Sequence, residues 1–320
     1  MLTGIAFAIR LLIKIAALAI LAPLIQGCIK QFKGRLQGRH GPRLLQPFFD
    51  LIKYARKEQV ISRETSWVFS AAPLFSFAAV LTAALMVPWV DRSPWPFPAD
   101  LILFVYLLAI PRFMMALAGL DAAGSFGGMA SSRESAVSAL AEPVLLLSLL
   151  TIALPGGSLH LEAIPVAANS LPLAARAGGL AAIAFYCVVL AEIGRIPVDN
   201  PDTHLELTMI HEGMILEYSG PLLGLLHFTH WIKQITLLVL LFNVFIPIGM
   251  MVESTGAWTA IIFSALIAVV TFLAKMITAI ALLAITETWL AKLRLFQMMD
   301  LLGFAFVLSI TALLFVATGV

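Results

Sequence analysis

The sequence predicts an all-α integral membrane protein: eight transmembrane helices, amphipathic cytoplasmic helices beside them, and both termini on the periplasmic side. Three observations predict it. Hydrophobic residues make up 61% of the 320, charged residues only 12%, and mean hydropathy is +1.00; a soluble domain carries roughly twice that charge fraction. Eight segments are long enough to cross about 30 Å of hydrocarbon as helices. Lys and Arg are shared unevenly between the connecting loops, which sets the orientation.

The first span, near 8–28, holds Arg10 and Lys14 and lacks a small-residue cleavage site, so it reads as a retained span rather than a signal peptide. The loop 30–66 follows, with nine of the twenty Lys and Arg. Within it, QPFFDLIKYARKE sets Phe48, Phe49, Leu51, Ile52 and Tyr54 against Asp50, Lys53, Arg56, Lys57 and Glu58. That alternation predicts an amphipathic helix along the membrane surface, an anchor for anionic lipid or a wall against which a partner docks. The later spans fall near 67–90, 99–120, 137–155, 176–194, 234–252, 257–285 and 300–319. Tryptophans cluster near their ends, at 67, 89, 95, 231, 258 and 289, as an interfacial belt requires. Fourteen basic residues lie on the side of the long loops (30–66, 121–136, 192–233, 286–299) and four on the other (Arg10, Lys14, Arg92, Arg176). The positive-inside rule therefore puts the long loops in the cytoplasm, for a single multi-pass domain, residues 1–320, in the inner (cytoplasmic) membrane.

Charge is then the informative feature. The stretch Glu192 to Gly220 holds six of the eighteen acids: Glu192, Asp199, Asp202, Glu206, Glu212 and Glu217. Carboxylates at a bilayer edge must be paired, hydrated or protonated, so this segment reads as part of a proton or ion path. Asn200–Pro201 is a good helix start. A helix from there to about Tyr218 places Glu206 and Glu217 on one face and His204 and His211 on another stripe, with Glu212 apart from both. The segment has no second histidine for a zinc-protease motif, so no metal site is expected.

Four more charges lie within or at the ends of spans: Arg112, Glu142 before Pro143, Lys275, and Glu287. Charge at such depth faces a bundle interior or a wet cavity, with a structural ion pair between helices as the plain alternative. Arg112 cannot release its proton and reads as a structural counter-ion. Glu142 is the strongest candidate carrier, since apolar surroundings raise a carboxyl toward neutrality, and Lys275 is a second. His227 and His230 have no nearby acid in the sequence and read as interfacial packing. Cys28 and Cys187 read as small buried hydrophobes. The chain shows no P-loop, dinucleotide fingerprint, iron–sulfur cysteine set or nucleophile triad, so no redox centre or catalytic residue of its own is expected, and no nucleic acid partner.

Three motifs in order, GRHGPRLLQPFFDLIKYARKE, AGLDAAGSFGGMASSRES with the Glu142–Pro143 span, and RIPVDNPDTHLELTMIHEGMILEYSGP, resemble the respiratory complex I subunit 1 family. Within it they are most similar to the hydrogenase branch, the membrane subunits of formate hydrogenlyase and related group 4 membrane-bound NiFe hydrogenases. The resemblance runs through nearly the whole chain. It implies a non-catalytic membrane heel that carries peripheral NiFe hydrogenase large and small subunits and passes proton or Na⁺ movement to antiporter-like membrane subunits. The NiFe centre and iron–sulfur clusters then belong to those partners. Carried over by motif, Glu192, Asp199, Glu206, Glu212 and Glu217 match the family's acidic loop, Glu142 its glutamate within a span, and Lys275 and Glu287 charged positions of the seventh span. Arg39, Gly41, Pro42, Gln46, Pro47, Asp50 and Lys53 match the first-loop motif that meets the peripheral arm, with His204 and His211 beside them. The alternative is the quinone-binding membrane subunit of NADH dehydrogenase. That branch has a longer stretch after its Gly-Pro and typically Pro-Phe-Asp where this chain has Pro197-Val198-Asp199; both departures argue against a quinone cavity.

Overall fold

The structure, a computed structural model, describes residues 2–90, 100–161, 172–199, 209–249 and 258–318. Among them there are ten α-helices and no strand. In chain order these are α1 (Leu2–Leu36), α2 (Gln46–Arg56), α3 (Trp67–Met86), α4 (Leu101–Asp121), α5 (Ser125–Ala153), α6 (Pro172–Glu192), α7 (His211–Met214), α8 (Gly220–Phe245), α9 (Trp258–Trp289) and α10 (Leu295–Thr318). Seven, all but α2, α6 and α7, are long and apolar enough to cross a membrane, and the described apolar part of α6, Ala177–Glu192, is shorter. A helix is the spanning solution because hydrocarbon offers backbone groups no other partner.

The bundle is built around α8, which packs on α1, α2, α3, α6 and α9. About 78% of its apolar stretch is buried, against 28% for α1 and α9 and 22% for α10, so those three form the periphery. Helices α3, α4, α5 and α6 follow in a row, and α10 closes on α5 and α6. The α4–α5 crossing is tight: a Cβ on Gly127 would sit 2.6 Å from the Gly119 carbonyl oxygen, so only glycine fits. Small residues at such crossings let membrane helices approach closely, and this one sets Arg112 of α4 within reach of α5.

Local chemistry fixes the helix ends. Asp121 accepts from the backbone N–H of Ser66 (2.8 Å) and Phe69 (3.3 Å), closing the α3 N-terminus with the last residue of α4. Ser219 precedes α8 and its hydroxyl exchanges hydrogen bonds with the backbone of Val60, N–H at 2.8 Å and carbonyl at 3.1 Å. Gly220 then turns with φ +56°, where a side chain would strike the Glu58 carbonyl. The helix α2, expected from the sequence of 46–58, is thereby laid across the start of α8.

Three expectations change. The segment 192–220 is not a helix from Asn200 to Tyr218: residues 200–208, with Asp202, His204 and Glu206, lie outside the described residues, and beyond them only the turn His211–Met214 is helical. Tertiary contacts override the helix there, because Met209, Ile210, Met214, Ile215 and Tyr218 are all buried and the Tyr218 hydroxyl donates to the Phe69 carbonyl at 2.7 Å. The helix expected at 234–252 begins at Gly220. The one expected at 137–155 begins at Ser125.

Candidate functional site

The end of the bundle that carries α2 and the basic first loop, here the basic side, gathers the buried charge. Four helices meet at one cluster. Arg112 of α4 pairs through Nε with Glu134 of α5 (3.2 Å) and through Nη2 with Glu192 at the end of α6 (3.1 Å). Its Nη1 donates to the Ser138 hydroxyl at 3.2 Å. Lys233 of α8 holds the other Glu192 oxygen at 2.6 Å. All four ionisable side chains are buried, and two cations face two carboxylates. Neutrality makes such burial tolerable, since one uncompensated charge in low dielectric is far costlier than the paired set.

A second cluster sits three residues along the chain. Arg195 donates to Glu287 of α9 at 2.8 Å, to Gln26 of α1 at 2.6 Å and to Gln234 of α8 at 3.1 Å. Lys33 of α1 reaches the second Glu287 oxygen at 3.1 Å. A third site is Asp199. One of its oxygens pairs with Lys292 at 2.8 Å, and the other accepts from the N–H of Ile210 and of His211, both at 3.2 Å. Asp199 is thus the cap of the short α7 turn, delivered from twelve residues upstream rather than by its immediate neighbour.

Beside these clusters lies a cavity of about 540 Å³. Its wall combines the first loop (Arg39, His40, Gly41, Pro42, Asp50) with Lys33, Arg195, Asp199 and three further histidines, His211, His227 and His230. Gln46 donates to Asp50 at 3.1 Å, Pro47 is buried, and Lys53 stands 5.5 Å over the Tyr54 ring. Burial depresses the His211 pKa below 6.5, with Glu134 pulling in the opposite direction and Lys233 reinforcing the shift. Tyr54 is raised by burial and by Asp50 and Glu212. Among the described residues no group of His, Cys, Asp and Glu is arranged to hold a metal.

The structure therefore brings Glu192, Asp199, Glu287 and His211 near one cavity with Arg39, Gly41, Pro42 and Asp50 of the first loop, whereas Gln46, Pro47 and the exposed Lys53 do not line it. Glu142, half-buried in α5, stands within electrostatic reach of Arg112, Glu192, Lys233 and Glu134. Glu212 lines the cavity, whereas Glu217 is exposed beside Gly124. Lys275 stands apart, twelve residues from Glu287 along α9, or about 18 Å of helical rise, with its Nζ donating to Asn243 at 3.0 Å. Sequence reasoning misses Glu134, Lys233 and the Lys33–Arg195–Gln234 set. It also assigns His227 and His230 to interfacial packing, where they instead line a cavity with an acid, Asp50, in the same wall. The available signal is helical phase: Glu134, Ser138 and Ala141 lie on one face of α5, so Glu134 extends the buried stripe of the span beyond the edge drawn by hydropathy.

A polytopic helical bundle with paired charges buried on one side, and a polar cavity leading to them, defines a membrane subunit built around internal charge. The NADH dehydrogenase family profile matches residues 9–318, and the chain belongs to that family, the complex I subunit 1 family. It is 34% identical over 288 residues to formate hydrogenlyase subunit 4 of Escherichia coli K12, covering 89% of this chain and 90% of that one. It is 32% identical over 308 residues to hydrogenase-4 component C of the same organism, covering 94% and 93%. An NADH-quinone oxidoreductase subunit of Syntrophotalea carbinolica is 30% identical over 254 residues, with 74% and 76% covered. In fold, the chain superposes on a chain of the membrane-bound sulfane sulfur reductase, an archaeal respiratory membrane complex, with a TM-score of 0.77 at 21% identity, covering 96% and 99%.

Proposed function

We propose that this chain is the membrane-anchoring and ion-coupling subunit of a NiFe hydrogenase or formate hydrogenlyase-like complex. Its basic side faces the cytoplasm and carries the peripheral hydrogenase subunits on the first loop and α2; antiporter-like subunits lie beside it in the cytoplasmic membrane. The observation that carries the reading is the charge-neutral Arg112–Glu134–Glu192–Lys233 cluster, buried beside a polar cavity on that side. A neutral cluster is sensitive to one proton: protonating Glu192 frees Lys233 and Arg112 and leaves net positive charge for Glu142, in the next turns of α5, to answer. Charge arriving in the docked redox subunits acts on this balance from the cavity side, and the relay Glu192, Glu142 and the cavity carboxylates passes the change along the membrane.

The quinone-binding alternative rests on the relationship to the NADH-quinone oxidoreductase subunits. The described cavity wall suits it poorly. Lys30, Lys33, Arg39, Asp50, Arg195 and Asp199 make it strongly charged, whereas sites for apolar ligands are lined predominantly by hydrophobic side chains.

The test has two parts. The tagged chain is purified in mild detergent, co-purifying subunits are identified by mass spectrometry, and nickel is assayed; nickel with hydrogenase large and small subunits is the expected result. An NADH-oxidising module with bound quinone and no nickel overturns it. In vesicles containing the complex, Glu142→Gln and Glu192→Gln are expected to keep hydrogen turnover and lose ion uptake. Full ion uptake in both variants removes the relay.

A further inference from the structure

Two cavities meet at the same four side chains. The larger one, about 540 Å³, opens among the first loop, α1 and α2. A smaller one, about 50 Å³, is lined by Arg112, Glu134 and Lys233, three members of the buried cluster. His211, Glu212, His227 and His230 line both. The partition between water-accessible space and the buried charges is therefore largely imidazole.

We infer that His227, His230 and His211 form a proton-conducting wall through which protons pass between the open cavity and the Arg112–Glu134–Glu192–Lys233 cluster. The inference rests on the coupling role proposed above and assigns its entrance. His227 and His230 are three residues apart on α8 and so share a face. The His227 ring stacks on Tyr54 of α2 at the cavity side, with centroids 5.4 Å apart. His230 lies against His211, centroids 5.1 Å apart. Glu134 shares the wall of the smaller cavity with His211 and His230. The order from cavity to cluster is thus His227, His230, His211, Glu134.

Imidazole suits each step because its two nitrogens allow a ring to gain a proton on one and release one from the other. A hydronium ion in the cavity protonates the free nitrogen of His227 and leaves as water. The opposite nitrogen gives its proton to His230, His230 passes one to His211 in the same way, and His211 protonates Glu134. Every ring ends neutral, no electron moves, and one positive charge has crossed the wall. Lys33, Arg195 and Asp50 face the outer end of this path, and Arg112, Lys233 and Glu192 the inner end. An arginine in any of the three positions would block it, since guanidinium does not release its proton.

The experiment uses membrane vesicles holding the assembled complex and reads hydrogen turnover and proton uptake separately. His230→Ala is expected to lower proton uptake per hydrogen turned over at least tenfold. Added imidazole, small enough to enter the large cavity, is expected to restore it. His230→Asn keeps most of the size and one hydrogen-bonding pair but cannot relay, and is expected to match His230→Ala without imidazole; it also covers the case in which the alanine variant fails to assemble. Wild-type proton uptake in His230→Asn overturns the wall, and so does a loss that imidazole leaves unchanged in His230→Ala. Glu192→Gln run alongside separates the two readings. If it uncouples while His230→Asn does not, only the wall is lost; if it too stays coupled, the relay itself is gone.

Discussion

The two sides of the bundle both take cations out of full solvent contact, wholly or in part, and they satisfy them differently. On the basic side, Arg112, Arg195, Lys33 and Lys233 are held by carboxylates. On the opposite side, Lys14 of α1 donates to the carbonyls of Leu85 (2.8 Å) and Val87 (2.6 Å), where α3 ends. Asn243 of α8 holds the next two carbonyls, Pro88 and Trp89, and Lys275 of α9 donates to Asn243. The first arrangement contains groups that titrate, so its energy depends on proton occupancy. The second pairs Lys14 with carbonyls at the negative end of a helix dipole and Lys275 with an amide oxygen, tying four helices together. A buried charge in a membrane helix is thus not a functional residue by depth alone; the chemistry of its partner decides.

That contrast is sharpened by substitution. The largest effect is expected from Glu192→Leu, which leaves Arg112 and Lys233 with a single buried carboxylate. Breaking a buried pair from one side costs about 3–5 kcal/mol, which should show as a large drop in thermal midpoint in detergent, or as loss of the folded chain. Asp199→Ala should cost less, about 2–3 kcal/mol, because Lys292 is partly exposed while two N–H groups at the α7 turn lose their acceptor; faster proteolysis around 200–215 is the readout. Lys275→Met and Lys14→Met should each cost about 1–2 kcal/mol, a cost set by neutral hydrogen bonds. Both should leave ion uptake per turnover unchanged. A Lys275→Met protein that is stable but uncoupled would break the comparison, placing a carrier on the opposite side.

The smallest effect is expected from pH. His211 has its pKa depressed in the folded protein, so below 6.5 the unfolded chain takes up a proton that the folded one resists. Stability therefore falls as pH drops through 6.5 toward the depressed value, by at most about 1.4 kcal/mol per pH unit for this one group. In His211→Gln that part of the slope should vanish, measured by thermal melts between about pH 7 and pH 5.5.

Much of the helical fold is legible in the sequence, because the length and apolar content of a span survive without tertiary knowledge. The amphipathic α2 is legible because its pattern of apolar and charged residues is likewise local. The centre of the site is not. Hydropathy favours a span edge where charge begins, and on that ground it puts Glu134, His230 and Lys233 in loops. The helices α5 and α8 in fact run on through them, because a charge with a partner on the next helix need not leave the bundle. Arg112 is visible as a deep cation, but its partners come from distant parts of the chain: Glu134 and Glu192 touch it, and Lys233 joins through Glu192. Asp199 reads as a relay acid in the sequence, but its pairing with Lys292 and with the N–H groups of the α7 turn is not legible there, since no sequence pattern links those positions.

The pairing of Lys33 with Glu287 has a consequence for biogenesis. A chain entering the membrane in order places α1 first and α9 next to last, about 250 residues later, or roughly ten to fifty seconds of synthesis at ordinary rates. Through that interval Lys33, and over its last 92 residues Arg195 as well, is present while the shared carboxylate is not. Until Glu287 arrives, those two cations have no shared carboxylate, so the contact that joins α1 to the chain just after α6 forms only once α9 is in place.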